Sequence, residues 1–330
     1  MKTKNKSLTT IKKDVVSNKK LLNQVHAMRQ AVRAYNAVPT EERGTAAEPL
    51  RAMLAATPSK RTFNLLAQGD SWFDYPTGTD IIDCLHSTHG HTITNIAVAG
   101  STLNDEAYGP VPREMFGLGP RQSDDPDRIT ELVNLIQKGN ENGQFQGLLL
   151  SAGGNDVAGS EFFSFVNNAR SGLSPINQEV LAGVVNGTFK NAYEYLITTA
   201  LAAAKDSGIT MPIFTHGYDY PWPDGRGFAS FLAWKVGPWF DETFNQKNYP
   251  NTTAAELKAR HDILVSFIDA LNAMLTGLAK KYAGQVFHVD LTGTLQSRDE
   301  WANELHPRND GFGKLAAKMD AALQANMATA

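Results

Sequence analysis

The sequence predicts an α/β protein built on a parallel sheet of about five strands covered by helices. Two features predict it. From Thr62 onward, short apolar runs alternate with segments of helical periodicity, the pattern of strands joined by crossover helices. The runs themselves are largely apolar instead of strictly alternating, as expected of strands buried on both faces.

Residues 1–60 stand apart from that pattern. They begin Lys-rich, and Leu21, Leu22, Val25, Met28, Val32 and Tyr35 then follow at helical spacing, which predicts one amphipathic helix. The stretch "NAVPTEERGTAAEPLRAMLAATPSKR" reads as a loop, a short helix and a linker, with prolines at the breaks. The expected organisation is a helical extension and linker over 1–60 and one domain over 61–330. In that domain the strand candidates are, in order, "FNLLAQ", "TITNIAVA", "GLLLSAG", "MPIFTHG" and "QVFHVDL". The helix candidates are "DIIDCLHSTHG", "DRITELVNLIQKG", "TFKNAYEYLITTALAAAKDSG", "TAAELKARHDILVSFIDALNAMLTGLAKKYAG" and "GFGKLAAKMDAALQANMA". Several close on glycine, which reaches the left-handed conformation that ends a helix without a steric penalty. Two segments break the alternation, about 157–185 and the aromatic, Gly/Pro-rich 217–252. Both follow strand ends, where open α/β sheets bind ligands, so both are placed to shape a pocket.

Composition narrows the function classes. With 42% hydrophobic and 20% charged residues and a formal charge of −3, the chain is an ordinary globular one with no basic excess directed at nucleic acid. A single cysteine, Cys84, excludes an internal disulfide, and no Cys-x-x-Cys pair offers a thiolate zinc site. The Lys-rich start lacks the apolar core of a secretory signal, and no run reads as long enough to span a bilayer. A cytoplasmic protein is therefore expected. Nucleotide-binding glycine motifs, G-x-S-x-G and H-E-x-x-H are absent from the sequence, and no cofactor is expected.

Four features fall at successive strand ends: Ser71 in "GDSWFD", Gly100 in "AVAGSTL", Asn155 with Asp156 in "GGND", and the loop "NELHPRNDGFG" carrying His306. A serine hydrolase needs a nucleophile, an imidazole to take its proton, and donors where negative charge grows on the carbonyl oxygen. Taken singly, each residue has an ordinary reading. Ser71 would cap the next helix, Gly100 and Asn155 would serve turns, and His306 would be a surface histidine.

Taken together, "GDSWFD", a strand ending in glycine, "GGND" and a late "ELHP" resemble the SGNH hydrolases, also called GDSL esterases and lipases, over about Asn64 to Phe312. The resemblance implies a three-layer α/β/α fold with a flavodoxin-like sheet. It implies Ser71 as nucleophile, His306 as base and acid, and Ser71 N–H, Gly100 N–H and the Asn155 amide as the oxyanion hole. Asp74 extends the match and is expected to brace its turn, as are Asp70 and Asp156.

One position departs from the family pattern. Asn303 stands where an Asp three residues before the histidine is usual. Three alternatives follow: Asn303 or a backbone carbonyl holds His306 in a dyad-like site, Glu304 or Asp299 supplies a carboxylate, or the enzyme is weak. The first is favoured on geometry, and Asp299 comes next.

Two other classes remain open. "GDSWFD" and "GGND" partly imitate the motifs of two-metal phosphoesterases, although the Asp-x-His and Asn-His pairs of that class are missing. A ligand-binding member of the same fold is the other. "CLHSTHGH" gathers Cys84, His86, His89 and His91, but at a spacing that scatters them over different faces of a helix. As substrate, the aromatic insertion suggests a small-molecule, lipid or acetylated-glycan ester, with His216, Tyr218 and Trp222 lining the pocket.

Overall fold

A computed structural model describes residues 61–76, 78–109, 127–229 and 235–327. The helix expected within 1–60 lies outside these residues, as do Phe231 and Trp234 of the aromatic insertion.

In chain order the elements are β1 (Asn64–Gly69), α1 (Ile81–Ser87), β2 (Thr92–Asn95), α2 (Leu103–Tyr108), α3 (Arg128–Lys138) and β3 (Gly147–Ser151). Then come α4 (Gln178–Gly183), α5 (Lys190–Asp206), β4 (Ile213–His216), the hairpin strands β5 (Phe228–Ala229) and β6 (Lys235–Val236), α6 (Asp241–Gln246), α7 (Ala254–Lys281), β7 (Val286–Val289) and α8 (Asn309–Asn326). The main sheet has the order β2-β1-β3-β4-β7, and all its pairings are parallel. Counting only these strands, the order is 2-1-3-4-5, the flavodoxin-like arrangement.

Each of the central strands β1, β3 and β4 is buried along its whole length, which is why their sequences are apolar runs. Edge strands β2 and β7 are partly exposed and shorter than their apolar runs suggested. Right-handed crossovers then dictate the layers. The chain moves one way from β1 to β2 and the opposite way from β2 through β3 and β4 to β7, so the connecting helices divide between the faces. Helix α1 packs with α8, while α3 and α7 each pack with α5. The result is a three-layer α/β/α sandwich.

Three helices were not foreseen in the sequence: α2, α4 and α6. Each has only 6 residues, too short to show a helical period. Helix α7, of 28 residues, is by length and composition apolar enough to cross a membrane, which corrects the expectation that no segment reached that threshold. Half of its most apolar window is buried inside the molecule, where Leu264, Phe267, Leu271 and Leu275 join the core.

Candidate active site

Strands β1 and β3 are neighbours where the strand order reverses, the place where a crevice opens beyond the carboxyl ends of a parallel sheet. The turn after β1 is wound by Asp70. Its Oδ1 accepts from Trp72 N–H at 2.9 Å and from Ser151 Oγ at 2.9 Å, and its carbonyl accepts from Phe73 N–H at 3.1 Å. The Tyr218 hydroxyl donates to Asp70 Oδ2 and accepts from Gly154 N–H at 3.0 Å. One phenol thus ties together the turns after β1, β3 and β4. Burial pushes the Asp70 carboxyl up to about 6 despite these donors.

Helix α1 is capped by Asp80, whose Oδ1 accepts from Asp83 N–H at 2.8 Å. Ser71 is therefore not the cap. Its Oγ lies 2.7 Å from His306 Nε2.

His306 comes from a tight loop closed by Arg308 N–H on Glu300 O and Ala302 N–H on His306 O, both at 2.8 Å. Inside the loop, Asn303 Oδ1 accepts from the main-chain N–H of Leu305 and of His306, each at 2.9 Å. Main-chain N–H groups can only donate, so the atom they converge on is the amide oxygen. That oxygen lies 3.0 Å from His306 Nδ1. The proton therefore sits on Nδ1, and Nε2 presents its lone pair to Ser71. Asn303 Nδ2 donates to Tyr75 OH at 3.3 Å, and the Tyr75 ring stacks on the imidazole with centroids 4.5 Å apart. Trp239 meets the same imidazole edge-on at 5.7 Å. Burial lowers the His306 pKa to about 3.

Of the alternatives for orienting His306, the Asn303 amide is the one in place. Asp299 is corrected: it is exposed on the turn Arg298–Glu300, and both imidazole nitrogens are engaged by Asn303 and Ser71. Glu304 is turned the other way. Its Oε2 accepts from Trp239 N–H at 2.6 Å and Phe240 N–H at 2.8 Å, and its Oε1 from Gly225 N–H at 2.9 Å. It clasps the insertion to the histidine loop, and burial pushes it up to about 7.

Asn155 borders the same cavity as Ser71. Its Nδ2 donates to Ser101 O at 2.9 Å, and an amide nitrogen has a second N–H to give. Gly100 sits in an exposed turn at φ 85°, a conformation that favours glycine. That turn is pinned to its surroundings by Ala99 N–H on Asp74 Oδ2 at 3.1 Å and Val98 N–H on Gly69 O at 2.8 Å. Asp156 Oδ2 accepts from Leu103 N–H at the start of α2 at 2.6 Å, a loop support as expected.

Two of the residues expected to bind substrate are elsewhere. His216 is fully buried against Trp72 and Phe73, with ring centroids at 5.6 Å and 5.4 Å, and its Nδ1 accepts from Tyr218 N–H at 3.3 Å. Burial, with His288 nearby, lowers its pKa to about 3. Trp222 stacks on His261 of α7 at 4.1 Å and does not line the cavity. Tyr218 does line it, with its hydroxyl committed to the turns below. In "CLHSTHGH", Cys84 is buried and the two nitrogens of His91 meet Phe63 N–H at 3.1 Å and Asp320 Oδ1 at 2.9 Å.

Sequence reasoning missed the aromatic supports. Trp72 Nε1–H donates to Leu305 O at 3.0 Å, locking the serine turn to the histidine loop, and Tyr75 packs on the imidazole. Both lie within five residues of Ser71, so their only signal was the density of aromatics in "GDSWFDYP".

No family model and no curated protein matches the sequence. Solved structures do. The lipase Lip_vut3 from a goat rumen metagenome is 12% identical with a TM-score of 0.45, over 79% of this chain and 97% of that one. An extracellular lipase from Streptomyces rimosus is 12% identical with a TM-score of 0.44, over 79% and 100%. A carbohydrate esterase family 3 structure from Talaromyces cellulolyticus is 10% identical with a TM-score of 0.41, over 82% and 100%. The three-layer α/β/α fold itself rests on the strand order and helix packing described above.

Proposed function

We propose that this protein is a serine esterase acting on carboxylic esters through an acyl-enzyme at Ser71. The observation that carries this reading is the 2.7 Å contact between Ser71 Oγ and an imidazole whose other nitrogen is held by an oxygen of fixed identity. Ser71 Oγ attacks the ester carbonyl carbon as Nε2 takes its proton. The oxyanion is received by Ser71 N–H, Gly100 N–H and the second N–H of Asn155; losing one such donor costs about 3–4 kcal/mol of transition-state stabilisation. His306 then gives its proton to the departing alkoxide, and water deprotonated by Nε2 cleaves the acyl-enzyme. Among the described residues, no carboxylate is hydrogen-bonded to the imidazolium formed on the way. It is supported by Asn303 Oδ1 and by the face of Tyr75, an aromatic contact worth about 1–2 kcal/mol when desolvated.

A fluorophosphonate probe tests the reading. The expected adduct maps to Ser71 by mass spectrometry, and Ser71→Ala loses both labelling and hydrolysis of a short aryl ester. Equal hydrolysis by wild type and Ser71→Ala would overturn it.

A further inference from the structure

One guanidinium is sealed inside the molecule behind the Gly100 turn. Arg128, at the start of α3, is fully buried, where an arginine is seldom found without a paired anion. Glu106 and Glu131 are carboxyls that feel its charge, yet among the described residues neither is hydrogen-bonded to it. Both Glu106 oxygens are buried without a partner, and burial pushes that carboxyl well above its usual range, toward the neutral form. An ion pair therefore does not account for Arg128.

Its hydrogen bonds go instead to neutral oxygens of the segment that carries Gly100. Nη1 donates to Ser101 Oγ at 2.5 Å and Nη2 to Ile96 O at 3.1 Å, so one planar fork spans residues 96–101 from end to end. Ser101 N–H closes the turn on Val98 O at 3.0 Å. Ser101 O in turn accepts from Asn155 Nδ2 at 2.9 Å, while the next residue of that loop, Asp156, accepts from Leu103 N–H at 2.6 Å. Ser101 thus stands between the guanidinium and two of the groups assigned above to the oxyanion. Gly100 N–H is one residue away, and the Asn155 amide is held by the Ser101 carbonyl.

Resting on the esterase reading above, we infer that Arg128 is a positioning residue of the oxyanion hole, which through Ser101 fixes the Gly100 N–H and the Asn155 amide at one spacing. Such donors act by aiming at the place where charge develops, and a misplacement of about 1 Å in a reacting geometry costs on the order of 10²-fold in rate.

A double-mutant cycle on p-nitrophenyl acetate hydrolysis tests the inference. Arg128→Gln removes the fork, and kcat is expected to fall by about 10- to 100-fold while KM stays within about threefold. Arg128→Lys, which can reach one of the two oxygens but not both, should fall between Arg128→Gln and wild type. Binding of an aryl trifluoromethyl ketone provides a second readout. Ser71 Oγ adds to its carbonyl carbon, the hydroxyl proton passes to His306, and the carbonyl oxygen becomes an oxyanion in the same hole. Its affinity should drop by the same factor as kcat. Because removing a buried arginine can unfold the chain, Ser101→Ala carries the test by itself. It deletes one hydroxyl and is expected to lower kcat and ketone affinity by about tenfold with KM kept. The double variant should lie within about twofold of Arg128→Gln, since both changes break one linkage. Multiplied effects in the double variant, unchanged kcat and ketone affinity in Ser101→Ala, or a loss confined to KM overturn the inference. So does a Glu106→Gln that loses as much as Arg128→Gln, which would make Arg128 an ion partner of Glu106. In each of these cases a fluorophosphonate adduct at Ser71 keeps the esterase reading. A wild type that neither labels nor hydrolyses overturns that reading, and the inference with it.

Discussion

Asn303 offers His306 Nδ1 an oxygen without a charge. Geometry and electrostatics are thereby separated, because the tautomer and ring plane are held while the imidazolium gains only dipolar support. Asn303→Ala removes the acceptor and frees the tautomer, and kcat is expected to fall by about 10²–10⁴. Asn303→Asp keeps both main-chain donors and lets Tyr75 OH donate to the added oxygen. Its charge favours imidazolium, so the pKa limiting activity in acid is expected to rise. The sign follows from the base role: His306 works when neutral, burial holds its pKa at about 3, and activity is lost only as pH falls through that low value. A pH profile of kcat/KM checks this. The acid limb should lie well below the ordinary histidine range in wild type and move upward in Asn303→Asp. Coincident limbs would contradict the assignment of His306 as base.

At the scale of elements, the site depends on how closely two strands approach and on one carboxylate that gathers a loop. A Cβ on Gly69 would come within 2.8 Å of Ser151 Cβ and 2.9 Å of Ser151 O, so Gly69→Ala must part β1 from β3 where the serine turn begins. A stability loss of about 2–3 kcal/mol in urea denaturation is expected, together with reduced Ser71 labelling. Glu304 does for the insertion what a strand pair does for the sheet, accepting three main-chain N–H groups from Gly225, Trp239 and Phe240. Glu304→Gln substitutes an NH₂ for one acceptor and should cost about 1–3 kcal/mol. Its folded pKa of about 7 stands above the unfolded value of 4.5, so the contribution Glu304 makes is fully present below 4.5 and lost as pH rises through 7. The cost of Glu304→Gln is therefore expected to be larger near pH 5 than near pH 8, and equal costs at the two would refute the shift.

Across the whole molecule, two sets of buried groups oppose each other in acid. Asp70 and Asp156, raised to about 6 by burial, contribute stability that is present below 3.8 and lost as pH rises through 6. His216 and His306, lowered to about 3 by burial, contribute stability that is present above 6.5 and lost as pH falls toward 3. Glu304, raised to about 7, and Glu106, which burial also raises well above its usual range, act with the two aspartates, so four carboxyls oppose two imidazoles and the wild-type urea midpoint should rise as pH falls from about 6.5 toward 4.5. Asp156→Asn removes one of the raised carboxyls and should make that rise toward acid smaller. If it does not, Asp156 is not raised. The five strands of the main sheet, the longer helices, their order and the four strand-end positions are legible in the chain alone, because burial on both faces and helical periodicity are written in neighbouring residues, whereas the two-residue strands β5 and β6 are too short to show an alternation. Its short helices were illegible for the same reason, having too few residues to repeat a pattern. It takes the packed molecule to show that Asp80 caps α1 and leaves Ser71 to His306, that Asn303 and not Asp299 holds the imidazole, and that His216 and Trp222 lie away from the cavity. These are contacts between residues distant in the chain or choices among adjacent loop residues. They depend on how loops pack at the end of the sheet, which local periodicity does not encode.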